Sequence, residues 1–357
     1  MEYTFSTREK NGSVCLILSY KVNGVWKQKT KQGFKSRKEA KRYQDKLLAK
    51  AEKDAVPSPD PELEDITLGE FLPIFLRDRR EELTYTTRIS YRNAVRRLTG
   101  LLDKPVEKIT TPMIMNALGK LNVSTASRNL SLRALKLVFS HAKLYRLIAE
   151  NPARPVRQMS SKDAQEIRAF TRKEVQGLLD HYSRHPNGMY SMFVLIGART
   201  GMRIGEIAGL TWNNIDLLHR KITIDKQWGR IDKAHYGLKP CKTQNSNRTI
   251  PIPLELVDAL AKWRKVQPLQ ITGMVFDETK LRTVMNQLAI YIAEHYPGRS
   301  FHSLRHTFAT LLLSETGDIN LVAGVLGDTV ATVSSTYVNY TQDVRDRAAD
   351  SVERLFS

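Results

Sequence analysis

Cysteine is nearly missing from this sequence, with two in 357 residues. Cys15 and Cys241 stand far apart and join no CxxC or Cys/His cluster, so a disulfide framework and a structural zinc site are both unsupported, and ordinary reduced thiols are expected. No apolar run approaches the roughly 20 residues that span a bilayer, and the first residues hold no apolar signal core. The expectation is a cytoplasmic protein without a membrane partner. Acidic residues are also in short supply: 37 Asp and Glu face 56 Lys and Arg, giving a net charge of +19 and a pI near 9.8. Such an excess favours a polyanionic partner, nucleic acid first, with a generic basic protein or a membrane-surface binder left open. The length points to two or three domains.

The first fifty residues suggest a small sheet backed by one helix. Val14 to Tyr20 has strand character, Asn23-Gly24 suits a two-residue hairpin turn, and Val25 to Thr30 is the returning strand. Ser36 then caps a helix, with Glu39 completing a capping box. Lys21, Lys27, Lys29, Lys31 and Lys35 are expected on the exposed sheet face, where they suit a DNA groove or serve as a solvated edge that resists aggregation. The proline-rich stretch from Val56 to Glu62 is an extended spacer and marks the first boundary.

From Thr67 the apolar residues recur at helical spacing. Four helices are expected: one opening at Thr67, one from Thr84 to Leu102, one starting at Thr111-Pro112, and one from Ser124 to Leu147. Arg88, Arg92, Arg128 and Arg133 are expected on outer faces, as a clamp on a phosphate backbone or as an ordinary solvated surface.

The chemistry-bearing motifs lie in the C-terminal half. Tyr190 to Ala198 is an apolar, buried helix, broken by Gly201 so that Arg203 meets the first turn of the next helix, where free N–H groups favour an anion. Glu206, three residues on, is placed to hold that guanidinium. Lys221 to Ile224 and Arg248 to Ile252 are strands, with Lys242 on the polar loop between them, a useful place for a proton donor. His302 and Arg305 are one helical turn apart and suit a shared anion, while His306 is expected to face elsewhere.

Taken in order, Thr200-Gly201-Met202-Arg203-Ile204-Gly205-Glu206, Lys242 to Ile252, His302-Ser303-Leu304-Arg305-His306-Thr307, and Leu326-Gly327 followed by Tyr337 resemble the tyrosine recombinase family of phage and integrative-element integrases. The resemblance covers nearly the whole chain. It implies a multidomain fold: residues 1–55, an arm-type DNA-binding domain with a small three-stranded sheet plus helix; 56–65, a linker; 66–160, an all-α core-binding domain; and 166–357, a mainly α catalytic domain with a small β-sheet and a C-terminal tail helix built on Val344, Ala348, Val352 and Leu355. It also implies roles. Arg203 and Arg305 neutralise the scissile phosphate, His302 hydrogen-bonds it, Lys242 protonates the departing 5′ oxygen, and Tyr337 is the nucleophile that forms a 3′-phosphotyrosine. Tyr340, one turn beyond, is expected to be a packed or exposed aromatic. No cofactor or metal is implied, and the sequence shows no evident Walker loop or acidic metal cluster.

The partners implied are double-stranded DNA with core-type and arm-type attachment sites, further copies of the chain in a homotetramer, and optionally a host architectural factor or excisionase, on DNA in a bacterial host. One position departs from the family: the histidine or tryptophan usual after Leu-Gly is Asp328. A carboxylate there repels phosphate if aimed at it, so Asp328 faces away, binds a neighbouring arginine, or lowers activity. Two alternatives therefore accompany the recombinase: a DNA-binding regulator or architectural factor of the same fold with weakened chemistry, and a relaxing enzyme of the type IB topoisomerase kind, for which the basic N-terminal module has no use.

Overall fold

Alternation of apolar and polar residues builds the first sheet. In the computed structural model, which describes residues 2–10, 12–22, 25–54, 63–160, 169–241, 246–267 and 270–337, strands β1 (Tyr3–Lys10), β2 (Ser13–Val22) and β3 (Val25–Phe34) form an antiparallel meander. Lys242, the Asn23-Gly24 turn, the spacer from Val56 to Glu62, Tyr340 and the tail helix lie outside the described residues, as does the side chain of Tyr337. The chain divides into two compact units, Met1–Ser161 and Lys162–Ser357.

Leu16, Leu18 and Tyr20 of β2 are buried against helices α1 (Arg37–Arg42) and α2 (Gln44–Asp54), with Ala40, Leu47 and Ala51 completing the core. Ser36 caps α1 by accepting from the Glu39 N–H, as its sequence position implies. Where one helix was expected there are two, separated at Tyr43, whose ring packs 5.4 Å from that of Phe34.

Register corrects the placement of the lysines. Leu16 pairs with Lys31, Leu18 with Lys29, and Tyr20 with Lys27, and residues directly opposite on antiparallel strands share a face. Lys27, Lys29 and Lys31 therefore belong to the helix-backed face, at its rim, and the Lys29 ammonium donates to the Lys50 carbonyl of α2 at 3.3 Å. The open face carries Lys21 opposite the exposed Trp26, Ser19 opposite Gln28, Ile17 opposite Thr30, and Arg8 opposite Cys15. A one-residue error in phase moves a whole row to the other side.

The helical region packs α3 (Leu68–Asp78), α4 (Tyr85–Arg96), α5 (Thr99–Leu102), α6 (Thr111–Gly119) and α7 (Thr125–Leu144) around Phe71, Phe75, Leu135 and Phe139. Thr67 and Glu70 form a reciprocal capping box on α3. The helix expected from Thr84 to Leu102 is broken at Leu98, and the break lets both Leu98 and Leu101 be buried. α7 stops at Leu144, short of Leu147, with Arg146 in the left-handed region at φ 62°. Arg88 and Arg92 are half-buried, and Arg128 turns inward to donate to the Leu121 carbonyl at 2.7 Å, so of the four arginines expected outside only Arg133 is exposed.

The second unit is mainly helical. It begins with α8 (Arg172–Ser183), α9 (Met189–Thr200) and α10 (Ile204–Ala208). β4 (Ile215–Asp216), β5 (Lys221–Ile224), β6 (Lys226–Arg230), β7 (Tyr236–Pro240) and β8 (Arg248–Pro251) follow, and then α11 (Leu254–Val266), α12 (Glu278–His295), α13 (His302–Thr316), α14 (Ile319–Leu326) and α15 (Val330–Tyr337). β4, β5 and β8 form one antiparallel sheet, and β6 pairs with β7 in a separate hairpin inserted between β5 and β8. The core centres on Phe193, Ile196, Phe276 and Leu288, with α9 buried along most of its length as its apolar run requires. Among the described residues, no helix is long and apolar enough to cross a membrane.

Candidate active site

Two chain reversals and the start of a helix gather the site. α9 ends at Gly201, whose φ of 64° is left-handed and where an added Cβ would lie 2.6 Å from the Phe308 ring. Glycine is needed there on both counts. The reversal makes Arg203 the N-cap residue of α10 rather than a member of its first turn. α13 brings Arg305 in from a second direction. α14 ends at Gly327, also left-handed at φ 69°, and Asp328 follows with its N–H bonded to the Ala323 carbonyl.

These segments converge on Asp328. One carboxylate oxygen, Oδ1, accepts from Arg203 Nη2 at 2.5 Å, and the other, Oδ2, accepts from Arg305 Nη2 at 2.5 Å. Of the outcomes the sequence left open for this residue, the second holds, twice over. Arg305 is fixed further by donating to the Gly201 carbonyl (3.0 Å) and the Leu326 carbonyl (2.8 Å), with its side chain 3% exposed. Arg203 Nη1 donates to Glu206 Oε1 at 2.8 Å, and its backbone N–H to Glu206 Oε2 at 3.0 Å. Glu206 thus holds the Arg203 guanidinium, as their spacing suggests.

Ionisation follows the pairing. Burial pushes the Asp328 carboxyl up, but Arg305 and then Arg203 outweigh it and hold it below the usual carboxylate range. Glu206 behaves alike: burial raises it, while Arg248 and Arg203 together bring it down. For Arg305, burial and the nearby Arg203 cation lower the pKa, whereas for Arg203 the attraction of Glu206 overcomes burial and raises it.

His302 opens α13 with part of its ring in solvent. Desolvation, then Arg305 and Arg203, lower its pKa, so the ring is neutral at pH 7 and has one N–H to give. His306 does not face elsewhere: its ring meets that of His302 edge-on, with centroids 4.8 Å apart, because the two are four residues apart on one helix. Burial, followed by His302, pushes His306 down to about 4.

Arg203, Glu206, His302, Arg305 and Asp328 therefore form one cluster, and Tyr337 ends the helix that follows Asp328. The residue passed over in the sequence is Arg248, which donates to both oxygens of Glu206, at 3.3 and 3.0 Å. An arginine opening an apolar strand in a chain with a buried glutamate was its only signal. Among the described residues, no group of three His, Cys, Asp or Glu side chains is arranged to hold a metal ion.

Residues 168–345 match the phage integrase family, and residues 7–51 match an arm DNA-binding domain. The chain is 25% identical over 332 residues to a tyrosine recombinase XerC-like protein of Caldanaerobacter subterraneus subsp. tengcongensis, covering 82% of this chain and 84% of that protein. It is 27% identical over 224 residues to the integrase of Escherichia phage 186, covering 62% of this chain and 58% of that one. Among solved structures, the Tn1549 transposon integrase in complex with a circular intermediate DNA superposes with a TM-score of 0.63 at 18% identity, over 78% of this chain and 99% of that one. A lambda integrase tetramer bound to a Holliday junction gives 0.53 at 18% identity, over 91% and 95%. The chain belongs to the phage integrase family of tyrosine recombinases.

Proposed function

We propose that this chain is a site-specific recombinase that cuts and rejoins DNA strands, integrating or excising a mobile element. The observation that carries the reading is the pair of arginines meeting on the two oxygens of Asp328. Two guanidiniums set on two oxygens of one anion match what the non-bridging oxygens of a phosphodiester require. In the proposed reaction the scissile phosphate takes the place of the carboxylate, and the neutral His302 donates a further hydrogen bond. The Tyr337 hydroxyl attacks phosphorus and gives up its proton to solvent as the bond to the 5′ oxygen breaks, and Lys242 gives that oxygen its proton. The 3′-phosphotyrosine is later attacked by a 5′ hydroxyl of a partner strand, which releases the phenol. The phosphodiester energy is kept in the covalent link, so neither ATP nor a metal enters this scheme. Fixed cations carry most of the rate, each worth roughly 10²–10³.

On this reading residues 1–55 bind arm-type DNA through the open sheet face, where Arg8, Lys21, Trp26, Gln28 and Thr30 replace the lysine row as the contacts. Residues 66–160 bind core-type DNA, with Arg88 and Arg92 each holding a buried Nε that lacks a hydrogen-bond partner. Residues 166–357 carry the chemistry. The assembly on DNA is a homotetramer, by analogy with the lambda integrase tetramer bound to a Holliday junction. A host architectural factor or an excisionase completes the complex where directionality demands it.

The test is a denaturing gel with nicked duplexes tiled across the DNA beside the gene. A protease-sensitive adduct in wild type that is lost in Tyr337→Phe, with DNA binding retained, is the expected result. An adduct that survives Tyr337→Phe refutes the nucleophile. Asp328 closing the clamp favours a second reading, a DNA-binding regulator, which takes over if an adduct forms only after Asp328→His.

A further inference from the structure

We infer that Arg248 is the positioning residue that fixes both arginines of the phosphate clamp, an inference that rests on the recombinase reading of that site. The hydrogen bonds of Arg248 go to neither Asp328 nor Arg305. The Arg248 guanidinium, 6% exposed, makes four hydrogen bonds to three segments. Nε donates to the Val325 carbonyl at 2.7 Å, Nη1 to the Ser246 carbonyl at 3.1 Å and to Glu206 Oε1 at 3.3 Å, and Nη2 to Glu206 Oε2 at 3.0 Å.

Each of those contacts leads to a group of the site. Both Glu206 oxygens are shared between Arg248 and Arg203, so Arg248 fixes the carboxylate that fixes the first clamp arginine. Val325 precedes Leu326, whose carbonyl receives Arg305, so the last turn of α14 is tied at one carbonyl by Arg248 and at the next by the second clamp arginine. Ser246 lies four residues after Lys242 in the sequence, so the third contact ends at the edge of the segment that holds the proposed proton donor, itself outside the described residues.

Charge adds to geometry. Glu206 alone would cancel one of the two clamp cations, and Arg248 offsets that carboxylate so that Arg203 keeps its pull on an incoming anion. Only a planar fork reaches all three segments together, so lysine restores the charge without the geometry. Because misplacing a clamp group by about 1 Å costs about 10²-fold in rate, the effect belongs to the chemical step more than to DNA affinity.

The experiment compares Arg248→Met, Arg248→Lys, Glu206→Gln and the Arg248→Met/Glu206→Gln double variant, all at a temperature where thermal melts show them folded. Two readouts are used: the single-turnover adduct rate on saturating nicked duplex, and titration of inorganic phosphate into the Asp328→Asn form of each. Arg248→Met is expected to lose about 10²-fold in adduct rate and about tenfold in phosphate affinity, with DNA affinity little changed. The double variant should be no slower than the slower single variant, and Arg248→Lys should recover the melting temperature but not the rate. Wild-type rate and phosphate affinity in folded Arg248→Met, or losses that multiply in the double variant, overturn the proposal. A parent that forms no adduct refutes the recombinase reading, and the phosphate titration then still decides the role of Arg248.

Discussion

Asp328 gives the sharpest test of how this site works. Its carboxylate makes a 2.5 Å hydrogen bond to each clamp arginine, so an incoming phosphate must displace an anion already in place. Replacement by asparagine removes the charge and turns an N–H₂ toward one guanidinium. Hydrogen bonds to charged groups are worth about 1.5–3 kcal/mol each, and Asp328 is half-buried, so a loss of about 2 kcal/mol in the free protein is expected. For a catalytic unit of this size that lowers the melting temperature by about 4–8 °C. The same change removes the competitor, so phosphate affinity should rise by about 10- to 100-fold, a decade for each 1.4 kcal/mol. The assay is thermal unfolding of wild type and Asp328→Asn with and without inorganic phosphate, followed by adduct formation on nicked DNA. Asp328→Asn should melt lower alone, recover with phosphate, and cleave faster than wild type. An unimproved phosphate affinity together with slower cleavage refutes this reasoning, and would mean that Asp328 orders the arginines for the substrate instead of standing in its place.

Gly201→Ala should cost about 1–3 kcal/mol through its left-handed φ and the Phe308 contact, and should slow adduct formation because the Gly201 carbonyl holds Arg305; a wild-type melting temperature and rate would contradict this. In the helical domain, Asp78 is held down to about 2, first by the Tyr145 hydroxyl at 2.6 Å and next by His141. A carboxylate with a lowered folded pKa stabilises above the unfolded value near 4 and loses that contribution as pH falls through about 2. Tyr145→Phe should therefore cost about 1 kcal/mol at pH 7 and progressively less below pH 4, as urea melts across that window would show; a cost that does not change with pH assigns the loss to packing. Deleting residues 1–55 should weaken binding at outlying sites and flatten the salt dependence, by about 0.9 in log–log slope for each phosphate no longer neutralised; an unchanged slope removes the module from DNA binding.

Much of the site was legible because its parts are local. Gly201 before Arg203, Glu206 three residues on, and His302 one turn from Arg305 each follow from helix geometry within a few residues, and capping boxes at Thr67 and Thr171 likewise mark helix starts in the sequence. What the sequence could not assign was phase and long-range partners. The face occupied by Lys27, Lys29 and Lys31 depends on a register that pairs them with Leu16, Leu18 and Tyr20, and the period of two makes a single step decisive. Arg128 looks like a surface cation by spacing, yet it donates to the part-buried carbonyl of Leu121.

By itself, then, the sequence determined the order of the domains and the identity of the charged groups, since helical periods, caps and motif spacing are properties of neighbouring residues. Tertiary structure alone decided that Asp328 lies between Arg203 and Arg305, across separations of 125 and 23 residues, and that Arg248 shares Glu206 from 42 residues away. Such pairings depend on where the ends of α9, α13 and α14 meet. Buried charges cannot stay unpaired in a medium of low dielectric, so once packing had brought those ends together each guanidinium had to take the nearest carboxylate or carbonyl.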